Sequence, residues 1–167
     1  MINNFITAQA LFFNYLFVYI HLNMIFFLVF FSLDSKKIRL VSDLKYFRAT
    51  PLLFSSIIFV FFSFAGLPPF LGFFGKFFIF WVNFLFENYF TIFLLAWLNF
   101  YLGYFYIQNV RFFFNIYKYT PYQIQKNKIN SNTIILFIIF LLTFINIFGF
   151  VYFTDYLNLS IYLSLLL

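Results

Sequence analysis

The 167-residue chain has 65% hydrophobic residues, 8% charged residues and a mean hydropathy of +0.99, unlike a soluble globular domain. It contains no cysteine, which excludes disulfides, thiolate zinc sites and cysteine-ligated iron–sulfur clusters. Its net charge of +6 comes from basic residues in short loops between apolar runs, a pattern typical of membrane topology signals and not of a nucleic-acid groove. We therefore predict an all-α membrane protein, with a single membrane domain over residues 1–167 and no nucleic-acid partner.

Phenylalanine is unusually abundant, with 35 residues. Phe, Ile, Asn, Tyr and Lys all have AT-rich codons, so we attribute the bias to an AT-rich, organellar genome. The alternative is that phenylalanine was selected for packing in this fold. The genomic explanation is favoured because phenylalanine fills apolar positions without periodicity.

The first predicted span covers residues 11–31, which is long enough to cross a membrane as a helix. No cluster of positive charge precedes it, so we do not expect a cleavable targeting peptide. An ionisable group near the middle of a span, such as His21, should face protein or a water path. His21 is therefore a candidate proton relay, although a neutral histidine making one interhelical hydrogen bond is slightly favoured. Asn14 lies on the same helix face and extends a polar stripe.

The next apolar run, residues 51–86, would reach roughly 54 Å as one straight helix, against a hydrocarbon core of about 30 Å. Pro51 suits the first turn of a helix. The sequence Gly66-Leu67-Pro68-Pro69 is either a turn between two short spans or a break inside one discontinuous helix. Two separate spans would each have only about 16 residues, at or below the usual minimum.

The charges of the loops discriminate between these two interpretations. The loops at residues 34–50 and 115–132 are both basic, and they fall on the same side only if residues 51–86 cross the membrane once. The opposite side then carries Glu87 and Asp155 but no lysine or arginine. We therefore predict a second span that is discontinuous at Gly66–Pro69.

Two further spans are predicted at residues 89–114 and 133–153, which gives four transmembrane helices in total. Asn146 and Gly149 in the last span would allow close helix approach. The apolar C-terminal segment is too short to cross a membrane, so we predict that it forms a short interfacial helix.

Lys76 is the charge that most needs an explanation, because it follows a helix break at membrane depth. Such a break must be buried against protein or a water-filled cavity, and transporters place half-helix ends at ion sites in this way. Desolvation and the positive end of a half-helix starting near residue 70 would both disfavour the charged ammonium form of Lys76. A lysine that releases its proton more easily suits a proton relay. Snorkelling of the flexible side chain to the interface is the alternative. The predicted broken-helix element consists of Gly66, Pro68, Pro69, Gly72 and Gly75.

The run FAGLPPFLGFFGKF resembles the broken-helix motif of the antiporter-like membrane subunits of respiratory complex I. The SDLKYFR loop before it and the helix at residues 97–111 after it are similar to the same family. The resemblance covers the whole chain, but only as the last four of the family's many helices. The subunit 4 class usually has glutamate at the position of Lys76, and the subunit 5 class has lysine followed by aspartate. Lys76 followed by Phe77 therefore favours the subunit 2 class.

The resemblance implies that Lys76 is a titratable residue of a central proton-transfer axis. His21 falls where some members, mainly of the subunit 4 class, carry a histidine. The resemblance also implies a multi-pass protein of the mitochondrial inner membrane, with its basic loops on the matrix side. No flavin, cluster or NADH site is expected in this chain, so it would catalyse nothing alone. Flavin and iron–sulfur clusters are expected in other subunits of the proton-translocating NADH:ubiquinone oxidoreductase.

The family's other discontinuous helix, its embedded glutamate and its other central lysines are missing from this sequence. We therefore expect a split gene and a second chain that carries the N-terminal helices, although a truncated sequence would explain the length equally well. The other expected partners are neighbouring membrane subunits of complex I and membrane lipids. The competing functions are a fragment of another antiporter-like subunit, part of a cation/proton antiporter, and a purely structural membrane fragment.

Overall fold

The computed structural model describes residues 2–32, 50–114 and 133–149, together with the single residues 151, 154, 155 and 158. The two basic loops, apart from Thr50, lie outside the described residues. The predicted interfacial helix, apart from Asn158, also lies outside them. The positions of these segments relative to a membrane therefore stay predictions.

All regular secondary structure in the described part of the chain is helical. The helices are α1 (Ile2–Phe31), α2 (Pro51–Ala65), α3 (Leu71–Leu85), α4 (Tyr89–Phe114) and α5 (Thr133–Phe148). α1 begins well before residue 11, because the polar residues at its start include no proline or glycine to interrupt a helix. α5 ends directly before Gly149 and is shorter than the predicted span at residues 133–153.

Two of the helices are long and apolar enough to cross a membrane by length and composition, over Ala8–Phe31 and Tyr89–Arg111. The other three have 15 or 16 residues each. Such helices are only about 22–24 Å long, less than the roughly 30 Å of a hydrocarbon core. Two helices thus meet the length and composition that a membrane span requires, and the full set of four membrane-spanning helices stays a prediction.

The half-helices α2 and α3 follow one another along α1. Phe61 of α2 packs on Phe26, in the C-terminal half of α1, with ring centroids 6.1 Å apart. Gly75 of α3 instead lies against Val18, nearer the start of α1. The chain therefore continues in one direction through the break and does not fold back as a hairpin.

The helices α4 and α5 pack along the same two half-helices. On α4, Phe114 contacts Phe54 near the start of α2, and Gly103 lies beside Ala65 at its end, so α4 is antiparallel to α2. The Asn146 amide of α5 lies 3.5 Å from the Phe59 carbonyl of α2, and Gly149, just after the end of α5, lies against Leu71 at the start of α3. α5 thus runs parallel to α2 and antiparallel to α1.

The core lies between α1, α2 and α5, whereas α4 covers one side of α2. Buried apolar residues recur every three or four positions along α1, at Val18, Leu22, Ile25 and Val29. Much of α4 faces outward, and its Trp97 and Phe100 are 70% and 82% exposed. An aromatic surface of this kind indicates contact with lipid or with another protein.

Candidate functional site

The break begins with a glycine-terminated end of α2. Gly66 has φ +80°, in the left-handed region that favours glycine. The Leu67 N–H donates to the Phe62 carbonyl (3.1 Å), and the Gly66 N–H donates to the Ser63 carbonyl (3.0 Å). This is a Schellman motif, which satisfies two of the carbonyls that a helix end leaves without partners.

The start of α3 is held by a side chain from α2. The Pro68–Pro69 peptide is cis, and the Gly72 N–H, in the first turn of α3, donates to Ser63 Oγ (2.9 Å). A Cβ on Gly72 would lie 2.1 Å from the Ser63 carbonyl oxygen, so the two half-helices can touch here only at a glycine. The sequence indicated Gly72 but gave no reason to select Ser63, because the contact joins two helices.

We expect Ser63→Ala to destabilise the break, because it leaves the buried Gly72 N–H without its acceptor. The cost should be about 1–3 kcal/mol, measured as a lower thermal stability of the chain in its membrane assembly. Ser55→Ala is the matched control, since the Ser55 hydroxyl bonds to the Leu52 carbonyl of its own helix. Equal stability of the two variants would contradict the capping role of Ser63.

The side chain of Lys76 turns back toward the end of α2. Its Nζ donates to the Phe64 carbonyl oxygen at 2.6 Å. A Cβ on Gly66 would lie 3.0 Å from Lys76 Cδ, so a larger residue at position 66 would press on this side chain. The electrostatic setting thus differs from the expected one: Nζ lies at the C-terminal end of α2, whose carbonyls carry partial negative charge.

Lys76 borders a small cavity of about 100 Å³ at the junction of α1, α2, α3 and α4. Its wall combines the lysine with three tyrosines and one serine. The lining residues are Tyr15, Val18, Tyr19, Leu22, Ser63, Phe64, Gly72, Lys76, Leu102 and Tyr106. The space is large enough for water, and its polar groups can hydrogen-bond to it.

The three tyrosines were not identified from the sequence. Tyr19 of α1 and Tyr106 of α4 both line the cavity, and the Tyr106 ring stacks on Phe64 (5.4 Å). Tyr15 and Tyr19 stack on the same face of α1. Their four-residue spacing was the available signal, but it became informative only once α3 placed Lys76 opposite them. Phenolic hydroxyls both donate and accept hydrogen bonds, as proton transfer requires.

His21 is half-buried and does not line this cavity. Its Nε2 lies 3.2 Å from the Leu142 carbonyl oxygen of α5, to which it donates a hydrogen bond. This contact is the interhelical hydrogen bond that the sequence offered as the alternative to a relay. Of the two candidate relay residues, only Lys76 is placed at the cavity.

The remaining residues of the predicted broken-helix element lie in or beside the break. Pro68 and Pro69 separate the two half-helices, and Gly75 allows α3 to approach α1. A Cβ on Gly75 would lie 3.5 Å from the Tyr15 ring, an ordinary contact distance. Gly75 is therefore less restricted sterically than Gly72.

Comparison with known proteins bears on this geometry. No match was found among the curated proteins. The family model described as "NADH:quinone oxidoreductase/Mrp antiporter, TM" matches residues 1–100. The matched region contains α1, both half-helices, the break and Lys76. The chain therefore belongs to the NADH:quinone oxidoreductase/Mrp antiporter family of membrane domains.

Proposed function

We propose that this chain is the C-terminal part of the antiporter-like subunit 2 of mitochondrial respiratory complex I. In this proposal it contributes to proton translocation across the inner mitochondrial membrane, coupled to NADH:ubiquinone oxidoreduction. Family membership supports a membrane domain of the proton-translocating type. The observation that carries the proposal is the Lys76 amine, held at a helix break beside a cavity lined with tyrosines.

Lys76 is the proton-transfer group in this proposal. Its ammonium is held by the Phe64 carbonyl, and it becomes a neutral amine when it passes a proton to water or to a hydroxyl in the cavity. The amine then accepts the next proton from the other side of the path. Tyr19 and Tyr106, which both line the cavity, offer hydroxyl groups through which a proton can continue from α1 toward α4.

The half-helices α2 and α3 together form one discontinuous span in this proposal. They are aligned along α1 and α4, and together they supply about 45 Å of helix. Adding α1, α4 and α5 gives four spans, with the two basic loops on the matrix side as the loop charges indicate. Two backbone groups at the break are paired as membrane depth requires: the Gly72 N–H donates to Ser63, and the Phe64 carbonyl accepts from Lys76.

The proposed partners are a chain that carries the N-terminal helices, neighbouring membrane subunits of complex I, and lipids. The outer face of α4 supports a protein neighbour, because it exposes Tyr101, Tyr104 and Gln108 at membrane depth. Polar groups on a helix surface are better matched by protein than by hydrocarbon. Flavin and iron–sulfur clusters are proposed to lie in other subunits, which makes this chain one part of an enzyme.

The proposal is tested by Lys76→Ala in the assembled complex, reconstituted into vesicles. We expect the number of protons moved per NADH oxidised to fall, since alanine can neither accept nor release a proton. Asn83→Ala in the same helix is the control, because the Asn83 amide donates to the Ile79 carbonyl and accepts from the Thr91 hydroxyl, both outside the cavity. An unchanged proton stoichiometry in an assembled Lys76→Ala complex would show that Lys76 is not a relay.

A cation/proton antiporter subunit is the second candidate, because the matching family also includes the Mrp antiporters. Isolation of the chain in its native membrane assembly distinguishes the two. Co-purification with NADH and quinone oxidoreductase activity supports the first candidate. Sodium- or potassium-coupled proton exchange in an assembly without that activity supports the second.

A further inference from the structure

Two buried asparagines carry polar atoms without partners. Asn14 on α1 is 2% exposed, and among the described residues neither its amide nitrogen nor its oxygen has a hydrogen-bond partner. Asn146 on α5 is fully buried; its nitrogen makes one long contact (3.5 Å) with the Phe59 carbonyl, and its oxygen is unpaired. Buried polar groups are nearly always hydrogen-bonded, so these atoms need an explanation.

The two asparagines lie on the same side of the contact between His21 and Leu142. Asn14 precedes His21 by seven residues and shares its helix face, whereas Asn146 follows Leu142 by four residues and shares its face. Because α1 and α5 are antiparallel, both asparagines are displaced from the His21–Leu142 contact toward the same end of the helix pair. The displacement is about 10 Å for Asn14 and about 6 Å for Asn146. The two asparagines therefore lie at neighbouring heights along the α1–α5 pair, and the Asn146 amide also approaches the Phe59 carbonyl of α2.

A small polar ligand fits this position, because Asn14 is only 2% exposed among the described residues. Each amide offers both a donor and an acceptor, and a buried water molecule typically makes about three hydrogen bonds. We propose that Asn14 and Asn146 hold a buried water site between α1 and α5, which adjoins the Lys76 cavity.

The cavity and the proposed water site are separated by about one helical turn of α1. Val18 lines the cavity and lies one turn after Asn14 on the same face, and Tyr15, which also lines it, is the next residue after Asn14. α3 packs against both of them at Gly75, one residue before Lys76. A water molecule at Asn14 would accept a proton from the cavity side and release another toward α5. This part of the inference rests on the proposed function, whereas the hydration of the asparagines does not.

The water site is tested by electron cryo-microscopy of the assembled complex, at a resolution that shows ordered water. We expect density within hydrogen-bonding distance of both amides in the wild type, and its loss in Asn14→Leu. Asn23→Leu on the same helix is the matched control, because Asn23 lies on an outer surface with Ile20 and Met24. If Asn14→Leu does not assemble, the density between the two amides in the wild-type map tests the water site by itself. A direct hydrogen bond between the two amides, or two buried amides with no water density beside them, would contradict the proposed water site.

Proton translocation by the same variants tests the link to Lys76. We expect Asn14→Leu to lower the number of protons moved per NADH, and Asn23→Leu to leave it unchanged. Water density combined with unchanged translocation in Asn14→Leu would refute the link. Water density combined with normal translocation in Lys76→Ala would refute the proposed function and leave the water site standing.

Discussion

Replacing Lys76 by arginine is expected to stop proton translocation through this chain while leaving the complex assembled. Arginine keeps the positive charge that can bond to the Phe64 carbonyl, but its guanidinium is not deprotonated in proteins. A relay must release its proton in every cycle, so a permanently charged side chain blocks the path. We expect the rate of translocation to fall by about 10²-fold, within the range that a positioned proton-transfer group contributes.

The matched variant is Lys76→Met, which keeps most of the volume of the side chain but carries no charge. If Lys76 is a relay, arginine and methionine should both abolish translocation. If Lys76 only supplies a fixed charge to the end of α2, arginine should preserve translocation and methionine alone should impair it. Translocation is measured as vesicle acidification per NADH oxidised, and native gel electrophoresis confirms assembly.

Replacing Gly72 by alanine is expected to prevent the two half-helices from packing, and so to remove most of the assembled protein. The added Cβ would lie 2.1 Å from the Ser63 carbonyl oxygen and 2.7 Å from Ser63 Oγ. The oxygen belongs to the backbone and cannot rotate away, so α3 would have to move and lose the Gly72–Ser63 hydrogen bond. Overpacking costs about 1–3 kcal/mol, and the lost hydrogen bond adds about 1 kcal/mol.

Gly75→Ala, three residues later in the same helix, is the control for Gly72→Ala. A Cβ at position 75 would meet the Tyr15 ring at 3.5 Å, and alanine favours the helix over glycine by about 1 kcal/mol. We therefore expect Gly75→Ala to assemble at the wild-type level. Both variants are measured as the amount of chain in the assembled complex. Equal assembly of the two variants would contradict the close approach at Gly72.

The helical elements followed from local features of the sequence. Pro51 begins α2, the break falls at the predicted glycine and prolines, and Glu87 lies in the turn between α3 and α4. Proline and glycine act on their own backbone, so their effect can be predicted without the rest of the fold. α1 begins at Ile2, before the predicted span at residues 11–31, because the polar residues there do not interrupt a helix.

The candidate site was only partly predictable. Lys76 stood out because a charge beside a helix break is rare, and Gly72 stood out because it follows two prolines. Ser63, Tyr19 and Tyr106 did not, because each acquires its role through a contact with another helix. Asn14 was noted as part of a polar stripe, but its unpaired amide appears only when α1 is packed.

The sequence by itself determined the apolar composition, the interruption of the second apolar run and the presence of one lysine at that interruption. Only the tertiary structure decided that the Lys76 amine lies at the C-terminal end of α2. The last carbonyls of α2 lack partners within their own helix, and the Schellman motif leaves the Phe64 carbonyl free to accept from Nζ. The alignment of α3 with α2 brings Lys76 within reach of that carbonyl. A solvent-poor interior then favours this hydrogen bond over an unpaired charge.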